Sequence, residues 1–289
     1  MNNEGRPVVP SPYEVMGIVN LTPDSFWQGS RTFKENGKLD EGVLRAVVES
    51  HIEGGATCLD VGACSTRPGS TPVSPEEEAR RLEAGLPIVA SYGLPISVDT
   101  FRSSVVTRCL DIVEDLTIND IHSGEDPWML ELASEGGLPF IAMHGADGRN
   151  TDYSSYEQRA RERGVSPVAE AVIEYFKDFE QKAWEMDVEW ILDPGFGFGK
   201  TLSQNYDLLR DLDMVSQEFP GVRMLVGVSR KSMIFRKFGI TPADCLPQTQ
   251  VLHLLSLQKG ASILRVHDCA EAARTISTYL EMQYPQFLD

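Results

Sequence analysis

Eight short apolar runs recur along the chain, and each is about as long as a buried β-strand. The runs are continuous and do not alternate with polar residues, which is typical of strands that are covered on both faces of a parallel sheet. They begin at Glu14, Cys58, Pro95, Asp115, Pro139, Glu189, Arg223 and Ser262. The runs therefore predict eight strands of one parallel sheet.

Segments with helical spacing separate these runs. Residues 39–55 end in two glycines, and the segment that opens at Ser74 continues with Pro75 and three glutamates, a typical helix start. Strand then helix, repeated eight times over 289 residues, gives about 36 residues per unit and predicts a (β/α)8 TIM barrel. A doubly wound open sheet is the alternative. We expect one domain over residues 1–289, with residues 1–12 as a flexible N-terminal extension.

Composition restricts the classes of partner. The 43 acidic and 26 basic residues leave a net charge of −17, which argues against a nucleic-acid or anionic-membrane surface. No apolar run approaches the ~20 residues of a membrane span, and the N-terminus lacks a signal-peptide layout, so we expect a cytoplasmic protein. The five cysteines are scattered, and the histidines lack metal-ligand spacing, which predicts reduced thiols and no protein-ligated transition metal.

Polar residues cluster where the predicted strands end. In a barrel the carboxyl ends of the strands share one face, so these side chains are expected to converge on a mouth. At any single position, an aspartate or asparagine can equally well cap a turn. The residues are Asn20, Asp60, Asp99, Asn119, Asp120, His144, Asp193, Ser229, Arg230, Lys231, Arg265 and His267.

The segment 193–201, DPGFGFGKT, follows the sixth run. Its alternating glycines allow the backbone to approach a ligand closely and to present N–H groups. It is not a G-x-x-x-x-G-K-S/T phosphate loop, because Pro194 stands where that motif requires glycine. The Asp193 carboxylate can accept two hydrogen bonds side by side, which suits the edge of a guanine or a pterin.

A local group of cations follows the seventh and eighth runs. Residues 228–232 read VSRKS, and Arg265 and His267 alternate on the eighth strand and should therefore point the same way. Loops after strands 7 and 8 form the usual phosphate site of a TIM barrel. The loops at 21–30 and 62–70 carry hydroxyls and aromatic or basic residues, and we expect them to be mobile lids.

Taken in order, seven motifs resemble the dihydropteroate synthase family. They are MGIVNLTPDSF, DVGACSTRPGS, ISVDT, IND, DPGFGFGKT, VGVSRKS and RVHD. The resemblance covers nearly the whole chain. It implies a transferase that condenses 6-hydroxymethyl-7,8-dihydropterin diphosphate with 4-aminobenzoate to 7,8-dihydropteroate and diphosphate. It also implies a dissociative reaction without a covalent enzyme intermediate.

The resemblance assigns roles to residues of this sequence. The pterin is expected at Asp99, Asn119, Met143, Asp193, Phe198, Gly227 and Lys231. Aminobenzoate is expected at Thr66, Arg67, Pro68 and Ser232. The diphosphate is expected at Asn20, Arg265 and His267, with Mg²⁺ at Asn20. The catalytic residues would be Asp99, Asp193, Lys231, Arg265 and His267. The resemblance further implies a homodimer, and the predicted helix containing VLHLLSL offers an apolar face.

Three departures from the family pattern keep alternatives open. Gln28 stands where the family usually has aspartate, Cys64 where it usually has glutamate, and 144–149 differs from the usual His-Met pattern. Gln28 permits the alternative of a non-catalytic pterin-binding paralogue. A methyltetrahydrofolate-dependent methyltransferase is a further alternative, but it would not need the SRKS and RVHD cations or the STRPG loop.

Overall fold

Eight parallel strands form a closed barrel in the computed structural model, which describes residues 12–22, 32–33, 38–65, 73–145 and 152–283. The strands follow one another in chain order, and the last pairs with the first, Gly17 lying opposite Val266. They are β1 (Glu14–Asn20), β2 (Cys58–Gly62), β3 (Ile96–Asp99), β4 (Leu116–Asp120), β5 (Phe140–Met143), β6 (Trp190–Asp193), β7 (Arg223–Val226) and β8 (Ile263–Val266). The predicted TIM barrel is confirmed, and closure rules out the open sheet.

Helices connect the strands and cover the barrel. They are α1 (Glu41–Glu53), α2 (Pro75–Ala90), α3 (Ser103–Leu110), α4 (Met129–Gly136), α5 (Glu157–Arg163), α6 (Pro167–Glu185), α7 (Leu202–Arg210), α8 (Leu212–Glu218), α9 (Ser232–Phe238), α10 (Leu246–Gln258) and α11 (Cys269–Gln283). Ser74 caps α2 by accepting the Glu77 N–H, as its position predicts. Residues 1–11 of the predicted N-terminal extension lie outside the described residues.

Two helical segments differ from the expectation. Residues 205–219, NYDLLRDLDMVSQEF, have a continuous helical pattern that predicts one helix. They divide instead into α7 and α8 at Asp211, whose backbone leaves the helical region and whose carboxylate accepts the Ser166 N–H. The eightfold repeat implies a helix after β8 but assigns no segment to it; that helix is α11, which buries Ala272, Ile276 and Tyr279 at helical spacing. In the ranges that the structure describes, no helix is both long and apolar enough to cross a membrane.

Candidate functional site

Six apolar side chains from six strands fill the interior of the barrel: Met16, Cys58, Ile141, Ile191, Leu225 and Ile263. Side chains alternate along a strand, so the residue two positions further points into the same space, nearer the carboxyl end. That rule places Asp60, Met143, Asp193, Gly227 and Arg265 directly above this apolar layer. Asn20 and His267 lie one step higher on β1 and just beyond β8.

Arg265 joins two carboxylates of neighbouring strands, and we call these three residues the Arg265 group. Its Nε donates to Asp60 Oδ2 at 2.6 Å and its Nη2 to Asp99 Oδ2 at 2.7 Å. Asn119 Nδ2 lies 3.2 Å from both oxygens of the fully buried Asp60. The positive charge of Arg265 is thus balanced inside the site. Asp60 lies in the mouth, as its strand-end position predicts, and the structure adds its contacts with Arg265 and Asn119.

Lys231, Asp193 and Phe198 form a second cluster, which we call the Asp193 group. Lys231 Nζ donates to the Phe196 carbonyl at 2.5 Å and lies 4.8 Å from the centroid of the Phe198 ring. Asp193 Oδ1 accepts the Gly195 N–H at 2.8 Å. A Cβ added at Gly227 would lie 3.7 Å from Lys231 Nζ, so glycine there leaves space beside the ammonium. One Asp193 oxygen is committed to the backbone, which leaves Oδ2 for a ligand.

Burial changes the acidity of the ionisable groups in the mouth. Burial raises the pKa of Asp99 to about 7, while Arg265 opposes the shift. It also raises the pKa of Asp193, against the effect of Lys231. It lowers the pKa of Lys231 to about 8, with Asp193 opposing. Asp99 can therefore exchange a proton near neutral pH, whereas Lys231 is mostly charged there.

Met143 lies opposite Asp193 in the β5–β6 ladder and is buried. Its backbone is fixed on both sides by Ser123, whose hydroxyl donates to the Met143 carbonyl at 2.8 Å and accepts the Met143 N–H at 2.7 Å. Asp193 and Met143 are therefore neighbours on rigid strands, and a thioether is available to pack against a flat ligand bound at Asp193.

His267 and Asn20 lie at the adjoining ends of β8 and β1. His267 Nδ1 is 3.1 Å from Ser229 Oγ, which also accepts the His267 N–H at 3.2 Å. Thr32 Oγ1 donates to the Asn20 carbonyl at 2.9 Å, which fixes the Asn20 backbone. The loop of β7 therefore holds His267, while Asn20 ends the strand beside it.

The residues that the sequence resemblance predicts for aminobenzoate fall in two regions. Ser232 is the first residue of α9, directly after Lys231. Thr66, Arg67 and Pro68 lie outside the described residues, as does Gln28. Cys64 is described; it is half-buried, and burial raises the pKa of its thiol. The thiol therefore stays protonated and uncharged at neutral pH.

Three strand-end residues point away from the site, contrary to the sequence analysis. Asp120 accepts the N–H groups of His122 and Gly124 at 2.8 and 2.7 Å, so it caps a turn. His144 is buried, and burial holds its pKa well below the ordinary value, so it is neutral. Arg230 pairs with Asp268 through two hydrogen bonds of 2.8 and 2.6 Å and does not join the cation group.

Arg230 nevertheless shapes the mouth through its backbone. Its φ is 54°, in the left-handed region that few side chains adopt. This conformation separates the two neighbouring side chains, because Arg230 reaches Asp268 while Lys231 reaches the Phe196 carbonyl. The ion pair therefore ties the loop after β7 to the end of β8, next to the Ser229 contact with His267.

A family model described as "Pterin binding enzyme" matches residues 16–267. The dihydropteroate synthase of Escherichia coli (strain K12) is 37% identical over 265 residues, which cover 91% of this chain and 89% of that protein. A longer protein of Haloferax volcanii, described as a probable bifunctional folylpolyglutamate synthase/dihydropteroate synthase, is 35% identical over 276 residues; these cover 94% of this chain and 31% of that protein.

This chain is also similar to solved structures of dihydropteroate synthases. The Xanthomonas albilineans dihydropteroate synthase with 4-aminobenzoic acid has a TM-score of 0.80 and 31% identity, covering 94% of this chain and 93% of that one. The Thermus thermophilus dihydropteroate synthase in complex with 6HMPPP has a TM-score of 0.75 and 31% identity, covering 92% and 93%.

Proposed function

We propose that the barrel mouth of this chain, which belongs to the dihydropteroate synthase family, carries out the reaction of that family through the Asp193 and Arg265 groups. The chain is a transferase that condenses 6-hydroxymethyl-7,8-dihydropterin diphosphate with 4-aminobenzoate in folate biosynthesis. The observation that carries the residue assignment is the convergence of Asp99, Asp193, Lys231 and Arg265 above the apolar layer of the barrel.

The Asp193 group provides the pterin side. Asp193 Oδ2 would accept the amino group or ring N–H of the pterin, with the committed Oδ1 retaining a second lone pair. Asn119 and Asp99 line the opposite strands, and Lys231 donates to a ring acceptor. The side chains of Met143 and Phe198 would flank the flat ring, and Gly227 leaves room for it.

The ends of β8 and β1 provide the diphosphate side. Arg265 uses Nε and Nη2 for its two carboxylates, and in the described part of the chain its Nη1 has no hydrogen-bond partner. A guanidinium has five N–H donors, so Nη1 can reach an oxygen of the leaving group while the carboxylates hold the fork in place. His267 adds a donor at the same end of the barrel.

Asn20 is the protein ligand that we propose for Mg²⁺. Among the described residues no cluster of three or more His, Cys, Asp or Glu could hold a metal ion, so a site made of protein ligands alone is not available there. A single amide oxygen fits Mg²⁺, since this ion usually takes few protein ligands and completes its shell with phosphate oxygens and water. When bound, Mg²⁺ would neutralise the charge that develops on the diphosphate.

The reaction breaks the bond between the pterin methylene carbon and the diphosphate oxygen, and that bond's electron pair leaves with the diphosphate. Positive charge then spreads over the pterin, where the carboxylates of Asp99 and Asp193 stabilise it. The aniline nitrogen of aminobenzoate forms the new bond to carbon and loses a proton. Asp99, with its pKa near 7, is placed to hold that proton. Ser232, with Thr66, Arg67 and Pro68, would hold aminobenzoate.

Helix α10 favours a homodimer. It exposes apolar side chains, since Val251 is 58% and Leu255 37% exposed, while its buried residues include polar ones. The buried residues are Thr249, Leu252, His253, Ser256 and Leu257. Exposed apolar side chains at helical spacing are typical of an interface. Val251→Glu with Leu255→Glu should shift sedimentation from dimer to monomer, and Glu281→Gln at the exposed end of α11 should not. We also propose a cytosolic location, since all five cysteines are free thiols.

The direct test uses purified protein with pterin diphosphate, 4-aminobenzoate and Mg²⁺, following diphosphate and dihydropteroate together. We expect equal amounts of both products, each dependent on both substrates. Tight binding of the pterin diphosphate without product would instead identify a non-catalytic pterin-binding protein. Product at a low rate would show that Gln28 slows the reaction without abolishing it.

A further inference from the structure

We infer that Lys200 is a positioning residue of the mouth, whose buried ammonium group fixes the loop 194–199 and keeps Asp193 ionised. This inference rests on the proposed function, because it concerns the binding of the pterin at Asp193. Lys200 contacts the Asp193 group only at the Phe198 backbone carbonyl, and it acts through the loop and through its charge.

The contacts of Lys200 are unusual for a lysine. The residue is 9% exposed, and its Nζ donates to three backbone carbonyls: His144 at 3.1 Å, Gly195 at 2.9 Å and Phe198 at 3.0 Å. No carboxylate lies within ion-pair distance of Nζ in the part of the chain that the structure describes. A buried charge without a direct counter-ion is unfavourable for folding, so a neutral residue would serve packing better.

These three hydrogen bonds hold the loop that shapes the Asp193 group. The same loop supplies the Phe196 carbonyl, which accepts from Lys231, and the Phe198 ring beside that ammonium. It passes so close to β5 that a Cβ at Gly195 would lie 1.9 Å from the His144 carbonyl oxygen. Lys200 therefore ties the end of β5 to both ends of the turn that carries Phe196.

Asn205 fixes the same loop without a charge. Its Oδ1 accepts the Gly197 N–H at 2.7 Å, and its Nδ2 donates to the Thr201 carbonyl at 2.7 Å. The loop thus has one charged and one neutral attachment. Comparing the two separates the electrostatic effect of Lys200 from its mechanical effect.

Three cations face the Asp193 carboxylate from different elements: Lys231 before α9, Arg265 on β8 and Lys200 after the loop. His144, at the end of β5, is neutral. Burial raises the pKa of Asp193, and all three cations oppose this rise. Burial lowers the pKa of Lys200 itself to about 7, so its charge is present on the acidic side of neutral pH, the side on which a carboxylate takes up its proton.

The test compares four variants by the pH dependence of kcat/KM for the pterin diphosphate and of its binding measured by calorimetry. Lys200→Met removes charge and contacts, Lys200→Gln keeps N–H donors without charge, and Lys200→Arg keeps the charge. Asn205→Ala removes the neutral attachment of the loop, together with a 3.3 Å hydrogen bond to the Lys200 carbonyl, and leaves the Lys200 charge in place. Lys177→Met, on the exposed surface of α6, is the control for loss of a positive charge far from the mouth.

We expect Lys200→Met and Lys200→Gln to move the acidic limb of both profiles to higher pH by about one unit, a roughly tenfold loss at acidic pH. Lys200→Arg should keep the limb in place. Asn205→Ala should weaken binding at every pH without moving the limb. The inference would be overturned if the acidic limb of both neutral Lys200 variants lay at the wild-type pH. It would also be overturned if these variants lost activity and binding equally at every pH, as expected for Asn205→Ala.

Failure of the proposed function and failure of this inference give different results, because the wild type tests the first and the Lys200 variants test the second. If the proposed function is wrong, the wild type itself forms no product, and the calorimetric titration of the wild type shows whether pterin binding survives. If only the inference is wrong, the wild type is active and its acidic limb matches that of Lys200→Gln. Circular dichroism of each variant checks that it is folded.

Discussion

The two groups in the mouth differ in how their charges are compensated. In the Arg265 group the guanidinium makes direct ion pairs with Asp60 and Asp99. In the Asp193 group the carboxylate and the Lys231 ammonium each contact backbone, and in the described residues they form no direct ion pair with each other. Paired charges are rigid and preorganised, whereas groups with spare hydrogen-bonding capacity can take a ligand. We therefore expect the Arg265 group, besides its place in the reaction, to act as the rigid framework of the mouth, and the Asp193 group to act as its recognition surface.

The largest effect is expected from removing the recognition surface. Asp193→Ala and Lys231→Ala should each lose nearly all turnover, by roughly 10²- to 10³-fold or more in kcat/KM, because the pterin loses charged hydrogen bonds. Steady-state kinetics measures this loss. Lys237→Ala, on the exposed end of α9, is the matched control and should keep the wild-type rate. Wild-type turnover in either mouth variant would remove the assignment of the pterin side.

Substitutions in the Arg265 group should also lower the stability of the folded protein. Arg265→Ala leaves the buried Asp60 carboxylate without its cation, and the free energy of unfolding should fall by about 3 kcal/mol or more. Urea unfolding measures it. Adding Asp60→Asn to Arg265→Ala should recover part of the loss, since the buried charge is then gone. Additive losses in the double variant would show that the two residues are not coupled.

A pH effect of intermediate size is expected from Asp99. Its pKa is raised from 3.8 to about 7 in the folded protein, so the folded state holds the proton more tightly than the unfolded chain. Stability from this group is therefore complete below about pH 4 and is lost as the pH rises through about 7. Asp99→Asn should flatten the dependence of the unfolding free energy in this window. An unchanged slope would contradict the shifted pKa.

The smallest effect is expected from the attachment between the loops of β7 and β8. Arg230→Gln and Asp268→Asn should each lower kcat/KM by about three- to tenfold, because Lys231 is held less firmly while its own contacts remain. The two losses should not add, since both variants break the same ion pair. Kinetics of the double variant tests this, and fully additive losses would indicate separate roles.

The strands were predictable because parallel strands buried on both faces leave an unambiguous signal in sequence. All eight begin within one residue of the predicted runs. No segment was assigned to helix α11 because the apolar residues in the first half of its sequence, CAEAARTISTYLEMQ, are mostly small alanines that alternate irregularly with polar residues. The division at Asp211 depends on a contact with Ser166, 45 positions away, which no local pattern contains.

The site was predictable in part for the same reason. Alternation from the interior residues gives the inward positions correctly for Arg265 and Met143, and the same rule marks Asp120 and His144 as outward. Applying the alternation rule to every strand would have excluded Asp120 and His144 from the site. The pairing of Asp60 with Arg265 joins residues 205 positions apart, and the role of Lys200 depends on three backbone carbonyls. Neither follows from residue type or spacing.

Two measurements on the Asp193→Asn variant test the assignment of Asp193 most directly. They are its rate of dihydropteroate formation and the urea concentration at which it unfolds. Burial raises the pKa of Asp193, so its charge costs folding free energy, and the neutral asparagine should unfold at equal or higher urea concentration than the wild type. We expect this well-folded variant to form no measurable product. A folded Asp193→Asn protein that forms dihydropteroate at the wild-type rate would contradict the assignment of Asp193 as the recognition carboxylate.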